Sequence, residues 1–244
     1  MDYLRKKGLL IGKAYEARLI KLRRKEVGRV LALCRDYHNP MSWAGVIEQN
    51  IDESYLAKWF EGLYIDAGLP RAKSIARDMN QAKAAEDEGY WEQRLKIYAQ
   101  DRAGNEIVLL QDTFKDNLIK IVRDSMEEDT QMGIEKLART IFAGYKDIEL
   151  WQARRIAQTE TMIGLAEAGD IAARSLDIPF IKTWATSGMD NTRESHLAMD
   201  GMTVEDDEPF ELVDCLMMFP HDGSMGAPAG EIINCACDCI RRPK

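Results

Sequence analysis

Long apolar runs are missing from this 244-residue chain. No stretch reaches about 18 apolar residues, so no transmembrane helix is expected. The opening residues, MDYLRKKGLLIGKAYEARL, have a short apolar core with charges on both flanks, which is not the pattern of a secretory signal. Histidine and cysteine are scarce, at three and five residues. The cysteine count is odd, and Cys235, Cys237 and Cys239 are crowded together near the end of the sequence. Thiols so close on one segment make a poor disulfide framework, and reduced thiols in a cytosol are the better expectation. No phosphate loop, dinucleotide fingerprint or Gly-x-Ser-x-Gly elbow occurs, which removes the commonest signatures of nucleotide and acyl chemistry. Internal repeats and low-complexity tracts are also lacking.

What is present suits a folded protein: 45% hydrophobic and 30% charged residues. The net charge of −8 is unevenly placed. Residues 1–35 carry 11 Lys/Arg against 3 Asp/Glu, and residues 191–240 carry 11 Asp/Glu against one Arg. Such asymmetry points to different partners at the two ends rather than to a general nucleic-acid binder. Arg5, Lys6, Lys7, Lys21, Arg23, Arg24 and Lys25 are the candidates for contact with a protein partner or DNA. Aromatic residues are not interleaved among them, so a groove for single-stranded nucleic acid is not expected.

The first 178 residues read as mostly helical. Apolar residues recur at near-helical spacing over 1–37, and His38-Asn39-Pro40 ends that helix. Ser42 and Asp52 are placed to cap the next two helices, and Gly68 to end the second of them. The run Tyr55, Trp59, Phe60, Leu63, Tyr64 is an aromatic stripe of core type. Pro70 is expected to open a further helix that runs on toward Gln100, in one piece or in two about Gly89. Gly104-Asn105 marks a turn, Thr130 caps a helix from Gln131, and Asp147 caps a long one from Ile148. Within that last helix, Gly164, Ala166, Ala168, Gly169, Ala172 and Ala173 make a slim surface that another element can approach closely.

At Ile178-Pro179 the period changes. Residues 180–184, 202–204 and 210–213 read as short strands, 220–230 as a turn-rich loop and 232–240 as a last strand. The fold class expected is therefore α+β: a helical arm or bundle over 1–178 and a small α+β domain over 179–244. A domain that small is near the size at which a core alone is marginal, so a metal or docking on the long helix would help it.

Two short arrays in that domain carry the chemistry. Asp190, Arg193 and His196 are spaced three apart, which on a helix gives one face, with Gly201 as its terminator. Cys235, Cys237 and Cys239 alternate, which on a strand puts all three thiols on one side. The two arrays are expected to face each other. His196 with the three cysteines is a set suited to zinc, although zinc cysteines usually stand two to four residues apart and here the gap is one. His221 and Cys215 are alternates. Without a metal, the same residues read as half-buried thiols with His196 pinned by Asp190 or Asp200. A cysteine nucleophile with His196 and an Asp is another option, as is a nuclease built on Asp190, Arg193, His196 and Asp200, though the local acidity would repel DNA.

The pattern Trp184-x5-Asp190-x2-Arg193-x2-His196-x3-Asp200-Gly201, followed by Asn234-Cys235-x-Cys237, resembles the phage Mu protein F-like family of minor head, or head morphogenesis, proteins. The helical lead-in Gly133 to Met162 is similar too. It ends in Ile156-Ala157-Gln158-Thr159-Glu160, where Gln158 replaces the family's usual basic residue. The resemblance spans Gly133 to Cys239, under half of the chain. It implies a structural minor capsid protein of a tailed phage or prophage, associated with the portal as an oligomer around it. Capsid or scaffold proteins and packaged DNA are further implied partners, and no membrane is. Synthesis in the host cytoplasm and a final place in the virion follow, with roles in head assembly, DNA packaging or ejection. The resemblance makes Thr159 and Glu160 a fixed part of the junction with the C-terminal domain, and it implies no established cofactor or catalytic residue. A metal-dependent or cysteine hydrolase carried on the C-terminal domain is the alternative.

Overall fold

The computed structural model describes residues 2–37, 39–79, 87–129 and 131–244; the side chains of residues 2–7, 9, 105, 147 and 148 are outside the described set. The architecture is a long helical region followed by a small α+β C-terminal domain, as the sequence pattern predicts. Helices α1 (Asp2–Asp36), α3 (Tyr55–Asp78), α4 (Glu88–Glu128) and α5 (Ile134–Ser175) are long, and α2 (Trp43–Asn50) is short. Among the described residues, no helix is long and apolar enough to cross a membrane.

Two compact units divide the chain: one of Met1–Lys13, Glu61–Ala99 and Arg155–Lys244, the other of Ala14–Phe60 and Gln100–Arg154. The second unit is all helical and is built on Val27, Val30, Leu31, Trp43, Ile47, Phe114, Leu118, Val122, Leu137, Ile141 and Tyr145. Its helix α2 is approached through a 3-10 turn, Pro40–Ser42, in which Asn39 Oδ1 accepts from Met41 N at 3.0 Å. Ser42 stands at the cap position of α2 without a capping bond; its hydroxyl donates to Asn39 O instead. Asp52 Oδ1 accepts from Ser54 N at 2.9 Å, just ahead of α3.

Several expected breaks are absent. Helix α3 passes through Gly68 and Pro70 without ending. At Gly68 an added Cβ would lie 2.8 Å from Leu95 Cδ1 and 3.0 Å from Ala168 Cβ, so this glycine serves close helix packing. Helix α4 runs unbroken through Gly104-Asn105, and α5 through Gly144 and Asp147. A single glycine costs a helix only about 1 kcal/mol, which packing of a long amphipathic helix outweighs. The Thr130 cap lies outside the described residues, and α5 begins at Ile134 rather than Gln131.

In the first unit the slim surface of α5 is used as its composition suggests. Gly164 leaves an ideal Cβ position 2.9 Å from Tyr64 Cδ1, and Gly169 one 2.7 Å from Arg241 Nη1. Ala172 and Ala173 pack with Ala72, Ile75, Ala76, Trp91 and Phe180. Of the aromatic stripe, Trp59 and Phe60 in the second unit and Leu63 and Tyr64 in the first are buried, and Tyr55 is half-buried. The C-terminal domain carries a three-stranded antiparallel sheet with β1 (Phe180–Ala185) between β2 (Thr203–Glu205) and β5 (Asp238–Pro243). A hairpin of β3 (Phe210–Glu211) and β4 (Leu216–Met217), helix α6 (Glu194–Met199) and the short α7 (Ala229–Ile232) complete it.

The last strand is shorter than expected and later in the chain. Asn234, at φ 57, takes a left-handed conformation that interrupts an extended run, so Cys235 and Cys237 precede the strand and only Cys239 lies in it.

Buried charges underlie the sheet. Arg241 Nη2 reaches Asp170 Oδ1 at 3.4 Å, Arg71 Nη2 donates to Asp238 Oδ1 at 2.8 Å, and Lys182 Nζ donates to Glu208 O and Met218 O at 2.8 and 3.0 Å. Beside them, burial and the neighbouring Asp170 and Asp222 push Glu167 up to about 7, against the opposing pull of Arg241 and Arg94. A carboxyl raised in the folded state binds more protons there than in the unfolded chain between pH 4.5 and 7. The Glu167 contribution to stability therefore falls as pH rises through that window and stays lower above it, by on the order of 3 kcal/mol. His221, pushed down to about 4 by burial, and the Cys237 thiol, held below its usual range, act in the opposite sense, so the Glu167 contribution is the difference between two proteins. From pH 5 to 8 the urea midpoint of Glu167→Gln is expected to gain on that of the native chain, and the variant to be the more stable at pH 8. A difference between the two proteins that does not change with pH would refute the assignment.

Candidate metal centre

Strand β1, helix α6 and the loop after α7 converge on one point. Trp184 sits on β1 with its backbone tied to the end of the α6 segment: Trp184 N donates to Met202 O and Gly201 N to Trp184 O, both at 2.9 Å. Gly201 has φ 78, a conformation that glycine adopts without a Cβ penalty. Asp200 caps the end of α6, and its Oδ1 accepts from Thr186 N at 2.8 Å. These contacts fix the start and end of the segment that carries His196.

The helix itself is shorter than the spacing suggests. Asp190 and Arg193 are not on it: Asp190 lies exposed in the preceding turn, and Arg193 is the extended N-cap residue. The one-face reading of Asp190, Arg193 and His196 therefore fails, because the chain becomes helical only at Glu194. Arg193 has a different task. Its Nη2 donates to Ile233 O at 2.6 Å, bracing the loop that brings in the cysteines. On the other side of that loop, Asn234 N donates to Thr159 Oγ1 at 3.1 Å. Glu160, buried, accepts from Tyr64 Oη at 2.6 Å. The Thr159-Glu160 pair thus joins α5 to the cysteine loop on one side and to α3 on the other.

At the point of convergence, His196 is 1% exposed and Cys235 and Cys237 are each 2% exposed. His196 Nδ1 lies 3.5 Å from Cys235 Sγ and 3.3 Å from Cys237 Sγ. Their ligand atoms all fall within 4.8 Å of one another, so the three form a group that could hold a metal ion. The separations suit one: nitrogen and sulfur ligands around a tetrahedral zinc stand about 3.6 Å apart. The expected facing of the two arrays is therefore seen for His196 with Cys235 and Cys237. Cys239 is not in the group. It is buried on β5 opposite Trp184, and its thiol faces Arg241 and Lys182 instead. His221 Nε2 contacts Cys237 O at 3.1 Å, and neither it nor Cys215 joins the cluster.

The thiols are unlike each other. A hydrogen bond from Cys235, with help from His196 and the Trp184 indole, holds the Cys237 thiol below its usual range, against the effect of burial. The same bond and burial push Cys235 up. The pair thus holds a thiolate at Cys237 and a proton at Cys235. A thiolate is the form a metal binds. Trp184 packs edge-on against His196, ring centroids 5.2 Å apart. Its Nε1 has no well-aligned partner among the described residues, so its effect on Cys237 is that of a nearby dipole more than a full hydrogen bond.

Glu231 stands behind His196, outside the group, and no spacing in the sequence singled it out. Its Oε2 lies 2.8 Å from His196 Nε2 and accepts from Ser195 Oγ at 3.0 Å. The His196 N–H points off the line to that oxygen, so the contact is close in distance and imperfect in angle. Its position three residues before Asn234 is the only trace it leaves in the sequence.

The basic candidates divide. Lys21 and Lys25 are exposed, and the side chains of Arg5, Lys6 and Lys7 lie outside the described residues. Arg23 is not a surface contact: it is 1% exposed, with its Nε 2.9 Å from Glu53 Oε1. Arg24 is paired with buried Glu149 at 2.8 Å.

No family model matches the chain, and no curated protein or solved structure gives a significant match.

Proposed function

We propose that this chain is a structural minor head protein of a tailed phage or prophage, portal-associated, whose C-terminal domain is stapled by zinc. The observation that carries the reading is what the motif residues do. Trp184, Arg193, Asp200, Gly201, Asn234 and Thr159 all hold backbone in place around a buried His196–Cys235–Cys237 group. That is the economy of a stapled assembly module, and the same residues carry the likeness to Mu F-like head proteins. Two thiols and an imidazole are a borderline-soft set that suits zinc over magnesium or calcium. Exposed apolar side chains on the domain, Met189, Leu197, Met202 and Val213, are available for burial against portal or capsid neighbours. Exposed Lys21 and Lys25 remain for an acidic partner surface or packaged DNA.

Mass spectrometry of purified empty and DNA-filled particles tests the reading, with copy number taken relative to the portal. A few to a dozen copies in both is the expected result. Absence from both kinds of particle would contradict it.

One arrangement favours a second reading. Cys237, His196 and Glu231 stand in the order nucleophile, base and orienting acid, as a cysteine hydrolase requires. The burial of Cys237 and His196 gives a substrate no access, which ranks this reading second. The variant His196→Ala separates the two: an intact fold with a lost hydrolytic activity supports the hydrolase, and loss of the domain's fold supports the staple.

A further inference from the structure

We infer that Glu231 is a positioning residue for the metal, acting through His196 and held in place by Ser195; the inference rests on the metal reading of the His196–Cys235–Cys237 group. A neutral imidazole carries one proton. With Nδ1 turned to both sulfurs at 3.5 and 3.3 Å, Nδ1 is the nitrogen that must offer a lone pair to a cation, and the proton must sit on Nε2. The Glu231 carboxylate stands 2.8 Å from that Nε2, where it favours this tautomer and holds the ring with Nδ1 toward the sulfurs. A carboxylate behind a metal-bound histidine does both in metal sites generally.

Ser195 Oγ donates to the same oxygen, Glu231 Oε2, at 3.0 Å, so the acid is held by the residue adjacent to the one it orients. Glu231 itself is not a ligand. It contacts the ring on the side away from the thiols, and both ring nitrogens cannot face one ion. The carboxylate also keeps a negative charge beside a site whose thiolates lose theirs to the cation, so its effect reaches the ion only through the ring.

The test uses the full chain, native and as Glu231→Ala, Glu231→Gln and Ser195→Ala, with zinc affinity measured by competition against a chromogenic chelator. Glu231→Ala is expected to bind zinc 10–100-fold more weakly. Glu231→Gln, which keeps an acceptor but not the charge, is expected to fall between, and Ser195→Ala to lose less than Glu231→Ala. Cobalt(II) in place of zinc should give the same thiolate-to-metal absorption in all four, because the ligand set is unchanged. In the zinc-loaded native chain the His196 Nε2–H proton should be visible by NMR, and in Glu231→Ala it should be lost to exchange with solvent. The metal-free proteins should melt alike, which a merely structural role for Glu231 would not allow. Native affinity and a persistent ring proton in Glu231→Ala would overturn this inference alone. A native chain that binds neither zinc nor cobalt would overturn the metal reading and the inference together.

Discussion

Replacing Cys237 with serine will abolish tight zinc binding by the full chain and lower the unfolding midpoint of its C-terminal domain by about 10–20 °C. Cys237 is the thiol that the site holds as a thiolate, by the hydrogen bond from Cys235 and by His196. Serine keeps the size and loses the soft anionic ligand. The site belongs to the compact unit of Met1–Lys13, Glu61–Ala99 and Arg155–Lys244, and its apolar cluster includes Cys235 and Cys237 beside Trp184, Phe210, Met217 and Phe219. A structural zinc contributes folding energy outright, and losing about 5 kcal/mol of it would remove much of a normal domain's stability. The control is Cys239→Ser. Cys239 is as deeply buried but faces Arg241 and Lys182 rather than the site. Its replacement costs some packing and leaves zinc stoichiometry unchanged. Calorimetry with metal analysis on the two variants decides the matter: equal zinc content in Cys237→Ser and the native chain would contradict the assignment of ligands.

The second large effect is at Arg23, in the all-helical unit. Its guanidinium is buried, bonded to Glu53 and placed 5.1 Å from the centre of the Phe114 ring. Tyr55 Oη donates to the same carboxylate at 2.9 Å. Arg23→Ala leaves the Glu53 carboxylate buried without its counter-charge, which costs about 3–5 kcal/mol. Glu53→Ala strands the guanidinium and is expected to cost a similar amount. Replacing both at once, as Arg23→Met with Glu53→Leu, should cost far less than the two single changes together, since apolar pairs of similar volume often replace buried ion pairs at little loss. Urea unfolding of the native chain, Arg23→Met, Glu53→Leu and the double variant measures the coupling. Additive losses would mean that the two side chains do not depend on each other.

Arg23 also shows where sequence reading stops. It stands in a run of exposed bases, Lys21 and Lys25 among them, and its composition is that of a solvated face. Its partner is 30 residues away, and nothing local announces that pairing. Gly68, Pro70, Gly104 and Asp147 misled for a related reason. Each is a sound local boundary signal, yet the helices run through all four, and at Gly68 the close approach of Leu95 and Ala168 shows the packing that a local signal cannot reveal.

The C-terminal domain was easier to read. Its strands follow a period of two, and the change of period at Ile178-Pro179 is abrupt. The meeting of His196 with Cys235 and Cys237 was legible as two arrays expected to face each other, even though the one-residue gap between thiols spoke against zinc. The route to that meeting was not legible. Asn234 turns left-handed, the strand begins only at Asp238, and Cys239 is separated from the other two. Glu231 was invisible because it acts across a turn on a residue 35 positions earlier.

The most direct measurement is the metal content of the purified full chain, by elemental analysis on protein prepared without added metal or chelator. The account predicts one zinc per chain, lost together with the fold of the C-terminal domain on treatment with a strong chelator under reducing conditions. A chain that carries no stoichiometric metal, and whose stability a chelator does not change, would contradict it.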